Sequence, residues 1–254
     1  MKQTSGKFTK IIKLIMEGQK LNDKIKLIYI LLRRYFGLKG QKELMLQNSD
    51  GTFKVRANDS DLWILTSLGD KEMRPYFNVD EGTFIDIGAN VGKYSIILAK
   101  NPNIKVIAFE PDPYNLEALK FNIVLNNSPV VIKDIALSNK KGTASFFLNP
   151  DNQGNSSLLN SGQKGEEIFV KTDTLDNVLK DNKERISLIK IDVEGFEAEV
   201  LQGARETIRK FHPKIIFEAW NGEYLDRCME VLNPLGYSTK KINGGNYLAK
   251  YIKN

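Results

Sequence analysis

The sequence is poor in the residues that build covalent and metal-bound structure. It holds one cysteine and one histidine in 254 residues. A lone Cys228 excludes an intramolecular disulfide and a cysteine-rich zinc site, and it suits a reducing compartment. A lone His212 means that any metal site would rest on carboxylates. No apolar run approaches the ~20 residues of a transmembrane helix. The first residues, MKQTSGKFTKIIKLIMEGQK, alternate lysine with isoleucine and leucine. They lack the uninterrupted core and cleavage site of a signal peptide. There is no internal repeat, no low-complexity tract and no G-x-G-x-x-G dinucleotide loop. The lone cysteine and the lack of a membrane-spanning run or signal peptide predict a cytoplasmic protein.

Charge is present but uneven. Of the net +6, residues 1–42 carry +9, leaving the remainder slightly acidic. Residues 7–18 and 21–37 have helical spacing of apolar positions, including Ile11, Leu14 and Ile15, then Ile25, Ile28, Leu32 and Tyr35. The plainer reading is a helical cap with solvated lysines. The sharper one is a basic amphipathic surface resting on an anionic membrane or a lipid-linked substrate. Nucleic-acid contact is a third. The chain divides into a basic helical extension (1–42), a hairpin and helix leading into the core (43–80), and a cofactor-binding domain (81–254).

In the middle segment, ELMLQNSDGTFKVRA alternates on both sides of Asp50-Gly51, which predicts a hairpin with a two-residue type I′ turn. A helix is expected from Ser60 to about Leu68. From residue 84, apolar strands alternate with helices. Phe84–Ile87 is followed by a glycine turn and a helix. Ile104–Phe109 leads through Glu110-Pro111-Asp112-Pro113 into a second helix, with Asp112 as cap and Pro113 at its first position. Val130–Ile135 is the third strand. Thr143–Leu148 and Ile168–Thr172 read as a hairpin pair around the polar loop 149–167. Ile186–Val193 precedes one helix that carries Val200, Leu201, Ala204 and Ile208 to the core. Ile215–Phe217, a helix over about 223–232 and a terminal antiparallel pair close the chain. Alternation of this kind builds a doubly wound, mostly parallel sheet, with ligands at the carboxyl ends of its strands.

Those ends hold Asp86–Gly92, Glu110, Asp134–Ala136, Asp192–Gly195 and Glu218. In FIDIGANVGKYS an acid, Asp86, stands just ahead of Gly88, Ala89, Asn90 and Gly92. A carboxylate there repels a phosphate but suits an ammonium group. S-adenosylmethionine carries an ammonium, a sulfonium and no phosphate. Glu110 is placed to accept both ribose hydroxyls, and Asp134 the adenine amine.

These stretches resemble the FkbM-type methyltransferases of the class I, S-adenosylmethionine-dependent group. The matching segments are FIDIGANVGKYS (84–95), FEPDPYNLEALKFN (109–122), Ala136-Leu137-Ser138 with Gly142, GNSSL (154–158), TLD (174–176), LIKIDVEGFEAEVLQGA (188–204) and PKIIFE (213–218). The resemblance implies a Rossmann-like, seven-stranded sheet and O-methylation of a hydroxyl on a sugar, glycan or secondary metabolite. On it, Asp86, Gly88, Ala89, Asn90, Gly92, Glu110, Pro111, Asp134, Ile135, Ala136 and Asp192 are the expected cofactor residues. Asn155, Ser156 and Ser157 are the expected acceptor contacts. A hydroxyl acceptor benefits from a general base; Asp192 is the first candidate, followed by Glu194, Glu197 and Glu218. Clustered acids could instead hold Mg²⁺ against a diol, but a metal-free site is favoured. His212 precedes a strand, at the wrong end of the sheet for a base. The competing function is methylation of RNA or another nucleic acid, gripped by the basic extension. Against it, the sequence has no Asn/Asp-Pro-Pro-aromatic motif and no Pro-Cys nucleophile.

Overall fold

The computed structural model describes residues 24–25, 28–29, 43–56, 61, 72–149, 156–158 and 166–252. Most of the two expected N-terminal helices, most of the Ser60–Leu68 helix, and residues 150–155 of the polar loop lie outside them. Among the described residues, no helix is long and apolar enough to cross a membrane.

Seven strands form the central sheet: β3 (Gly82–Ile87), β4 (Ile104–Phe109), β5 (Val130–Lys133), β9 (Ile186–Ile191), β10 (Lys214–Glu218), β11 (Tyr237–Asn243) and β12 (Asn246–Tyr251). Their order is β11-β12-β10-β9-β3-β4-β5. Strands β10, β9, β3, β4 and β5 run parallel, and β12 is antiparallel to both neighbours. Strands of a parallel sheet covered on both faces read as continuous apolar runs, as FIDI, VIAF and ISLIKI do. Ile85, Ile87, Ile189 and Ile191 face one core, which α4 (Glu197–Gln202), α5 (Arg205–Phe211) and α6 (Gly222–Leu232) cover. Phe84, Val106 and Leu188 face the other side, against Leu98 of α1 (Lys93–Ala99). Next to them, Leu119 and Ile123 of α2 (Pro113–Leu125) pack with Ile96.

Strands β1 (Glu43–Gln47) and β2 (Thr52–Arg56) form the expected hairpin, with a different turn. The loop has four residues. Asn48 Oδ1 accepts from the N–H groups of Asp50 and Gly51, and Asp50 does not take the positive φ that a type I′ turn requires. The hairpin is stitched to α2: Asn122 Oδ1 accepts from Lys54 N at 2.8 Å, and Asn126 both accepts from and donates to the Thr52 backbone.

A second sheet, β6 (Ala136–Leu137), β8 (Glu166–Asp173) and β7 (Gly142–Leu148), contains the expected hairpin pair. The third core strand stops at Lys133, two residues short of its expected end. The long helix expected after Gly195 is split into α4 and α5. A Cβ on Gly203 would sit 2.0 Å from the Ser138 carbonyl oxygen, so the helix breaks where the chain packs against that backbone. Asp176, in α3 (Leu175–Val178), then caps α5 from a distance, accepting from Glu206 N and Thr207 N. Cys228 is buried in α6, and burial pushes its thiol up to about 12. His212 ends α5 and stacks on Tyr251 at 3.8 Å.

Candidate active site

At the carboxyl ends of the central strands lies a cavity of about 570 Å³, counting its open mouth. Three groups of residues line it: Ile87, Gly88 and Asn90 with Phe109, Glu110 and Pro111; Ile135, Ala136 and Leu137 with Phe146, Ser156 and Leu158; and Asp192, Val193, Glu194 and Phe196.

The first group is built by the glycine turn. Gly88 has φ +73°, where a side chain is strained. A Cβ there would lie 1.8 Å from the Asp192 carbonyl oxygen, so only glycine lets the turn and the end of β9 touch. Gly88 N and Ala89 N both donate to the Phe109 carbonyl. Gly92, at φ +89°, precedes α1. Asn90 N donates to Glu110 Oε2 at 2.7 Å and Asp112 N to Glu110 Oε1 at 3.0 Å. Each Glu110 oxygen therefore keeps further acceptor capacity toward the cavity. Burial, then Asp112, pushes Glu110 up to about 8. Asn90 Oδ1 is buried without a hydrogen-bond partner.

Asp86 does not line the cavity. Its carboxylate is buried, accepts from Ser95 Oγ at 2.6 Å and lies 3.5 Å from Lys190 Nζ. The carboxylate that the sequence assigned to a ligand's ammonium is thus already matched by Lys190 within the protein. Asp134 is exposed and also lies off the cavity wall, because β5 ends before it; Ile135 and Ala136 form the wall instead.

The third group carries the acids. Asp192 N donates to the Ile87 carbonyl, fixing the end of β9 to β3. Glu194 adopts φ +55° and Gly195 φ +97°. Glu197 turns inward to hold this bend, accepting from Val193 N at 3.0 Å and Gly195 N at 3.3 Å. Its carboxylate is spent on backbone and not presented to the cavity. Ser157 likewise donates to the Val193 and Glu194 carbonyls, tying the β7–β8 connection to the bend. Ser156 Oγ accepts from Asn149 N; Asn155 lies outside the described residues.

Carboxyl oxygens of Asp192, Glu194 and Glu218 come within 4.8 Å of one another. Burial, then Asp192, pushes Glu194 up to about 9 and Glu218 to about 7. Two neighbours escaped the sequence reading. Lys190, two residues before Asp192 in an apolar strand, is buried beside it. Trp220 stands two residues beyond Glu218. The residue is 46% exposed, and its ring leans on that of Tyr224. In both cases the spacing of two from a strand-end acid was the available signal.

Raised carboxyls have a consequence for stability. Glu110, Glu194, Glu197 and Glu218 are each lifted from 4.5 to about 7–9, burial being the first cause in all four. Between those limits the folded state binds more protons than the unfolded state, so stability falls as pH rises. Urea unfolding of the ligand-free protein should show declining stability from about pH 5 to pH 8.

A parallel sheet with one antiparallel strand next to its edge, an acid-glycine turn after β3 and a buried glutamate after β4 define a Rossmann-like methyltransferase. The chain belongs to the FkbM methyltransferase family: the family model described as "Methyltransferase FkbM domain" matches residues 86–239. The relative named "Methyltransferase sdnD" from Sordaria araneosa is 33% identical over 189 residues, covering 61% of this chain and 73% of that protein. "Hexuronic acid methyltransferase AglP" from Haloferax volcanii is 28% identical over 133 residues, and the match spans about half of each chain (52% and 53%). A crystal structure described as a methyltransferase FkbM from Methylobacillus flagellatus aligns with 95% of this chain and 58% of that one, at 14% identity and a TM-score of 0.48. The chain is thus an S-adenosylmethionine-dependent methyltransferase.

The cavity fits that donor. The unpartnered Asn90 Oδ1 and the spare acceptor positions on Glu110 suit a ligand rich in hydroxyl and ammonium donors.

Proposed function

We propose that the protein transfers a methyl group to a hydroxyl of a sugar, glycan or secondary metabolite, a sugar ring being favoured. The observation that carries this reading is the cluster of Asp192, Glu194 and Glu218, of which Asp192 and Glu194 line the cavity, with the half-exposed Trp220 two residues beyond Glu218. A flat aromatic face edged by carboxyl groups is suited to a pyranose ring: the ring's C–H face covers the indole, and its hydroxyls bond the carboxyls. The name of the Haloferax volcanii relative agrees with a sugar acceptor.

In this reading Glu110 and Asn90 hold the donor, with Gly88, Pro111, Ile135 and Ala136 shaping its bed. S-adenosylmethionine, when bound, supplies a methyl group activated by the sulfonium. Asp192 is the general base: it is the acid of the three whose side chain is most open, 43% exposed, and it accepts the hydroxyl proton. Glu218, whose carboxyl lies within 4.8 Å of that of Asp192, passes that proton on toward solvent. Glu194 stands third in the cluster, and Glu197 acts by shaping the bend. The chain positions the acceptor oxygen, and most of the rate gain comes from that placement. No metal is assigned.

Incubation with S-adenosylmethionine and a panel of glycosides, read by mass spectrometry, should yield a methyl ether on one class of sugar. Transfer to RNA, steeply salt-dependent, would replace this reading with the nucleic-acid one. Trp220→Ala should raise the acceptor KM about tenfold and leave the affinity for S-adenosylmethionine unchanged.

A further inference from the structure

Lys190 is a buried charge that the reaction outlined above does not use. It is 4% exposed in the middle of an apolar strand. Its ammonium donates to the Gly88 carbonyl at 3.0 Å, and lies 3.5 Å from Asp86 Oδ1 and 3.3 Å from Asp192 Oδ2. Burial works against its charge, but Asp192 and then Asp86 outweigh that and hold the ammonium above its ordinary range. It is therefore a fixed cation and not a base.

Two roles fit such a lysine, and they separate cleanly. It could serve only as counter-ion to Asp86, its register partner across β3 and β9. The other contacts point further. Gly88 belongs to the turn against which the donor lies, and Asp192 faces the acceptor. Side chains two apart on a strand share a face, so Lys190 and Asp192 lie side by side. One ammonium thus touches both halves of the site. We propose that Lys190 is a positioning residue that clamps Asp192 to the Gly88 turn, setting the donor bed and the acceptor-side carboxylate as one unit. The proposal rests on the role given above to Asp192.

The test removes the counter-ion role first. Asp86→Asn is compared with the double variant Asp86→Asn/Lys190→Met, which takes out both partners of the buried pair and so avoids a stranded charge. Circular dichroism checks the fold. Two measurements follow. One is calorimetry with S-adenosylmethionine. The other is a carbon-13 carboxyl titration of Glu194 and Glu218, assigned with Glu194→Gln and Glu218→Gln. The charged groups around Asp192 are Lys190, Asp86, Glu194, Glu197 and Glu218. Lys190 opposes the upward push on both Glu194 and Glu218. The double variant should therefore titrate both about one unit higher than Asp86→Asn, and bind S-adenosylmethionine about tenfold more weakly. Equal midpoints and equal affinity in the two variants would reduce Lys190 to a counter-ion and overturn the proposal. Full methyl transfer by Asp192→Asn would instead remove the base assignment, and would leave these titration and binding results standing.

Discussion

Gly88→Val is expected to abolish S-adenosylmethionine binding. The position takes φ +73°, which a β-branched residue adopts only under strain of about 1–3 kcal/mol. The first side-chain atom would also lie 1.8 Å from the Asp192 carbonyl oxygen and 2.9 Å from its carbon. Both are backbone atoms, so no rotamer change relieves the clash. Either the turn lifts off β9 or the end of β9 moves, at a further cost of about 1–3 kcal/mol. In both cases Asn90 and Glu110 lose their relation to Asp192. Circular dichroism should show the sheet retained, and calorimetry should show no binding. Binding at wild-type affinity would mean that the donor does not rest on this turn.

Asp192→Asn is expected to keep donor binding and to lose methyl transfer by about 10²–10⁴-fold. Its amide preserves shape but cannot accept the hydroxyl proton. Lys190 still bonds the Gly88 carbonyl and pairs with Asp86, so the fold holds. Single-turnover methyl transfer to the glycoside that serves as acceptor measures the effect. Full activity would pass the role of base to Glu218 or Glu194, which share the cluster.

Most of the architecture was legible in the sequence because the parallel strands are buried on both faces. Runs such as FIDI and ISLIKI need no partner to be recognised. Local capping chemistry was legible too: Asp112 accepts from Tyr114 N and Asn115 N ahead of Pro113, as its type and spacing predict. The misread features were set by distant contacts. Gly203 breaks a helix because the Ser138 backbone lies against it. Asn48 overrides the Asp50-Gly51 signal through its side chain.

At the site, Gly88, Asn90, Glu110 and Asp192 were legible as strand-end residues, and the structure brings them around one cavity. Asp86 was legible as an acid, but the position of its counter-ion, Lys190, depends on the register of β9 against β3. Asp134 was misplaced for a similar reason, since the chain leaves β5 at Lys133. Glu197 and Ser157 are polar residues at plausible spacing, yet their hydrogen bonds go to the 193–195 backbone. Only the folded bend reveals which carboxylates remain free to act.

Calorimetry of S-adenosylmethionine with wild-type protein and Glu110→Ala tests the account most directly. Glu110 holds the turn through Asn90 and faces the cavity with acceptor capacity to spare. Removing the carboxyl leaves buried donors unsatisfied, at about 1–3 kcal/mol each, and should weaken binding about a hundredfold or more. Wild-type protein should bind the donor and the variant should not, with the fold intact by circular dichroism. Equal affinity in the two proteins would contradict the placement of the donor in this cavity.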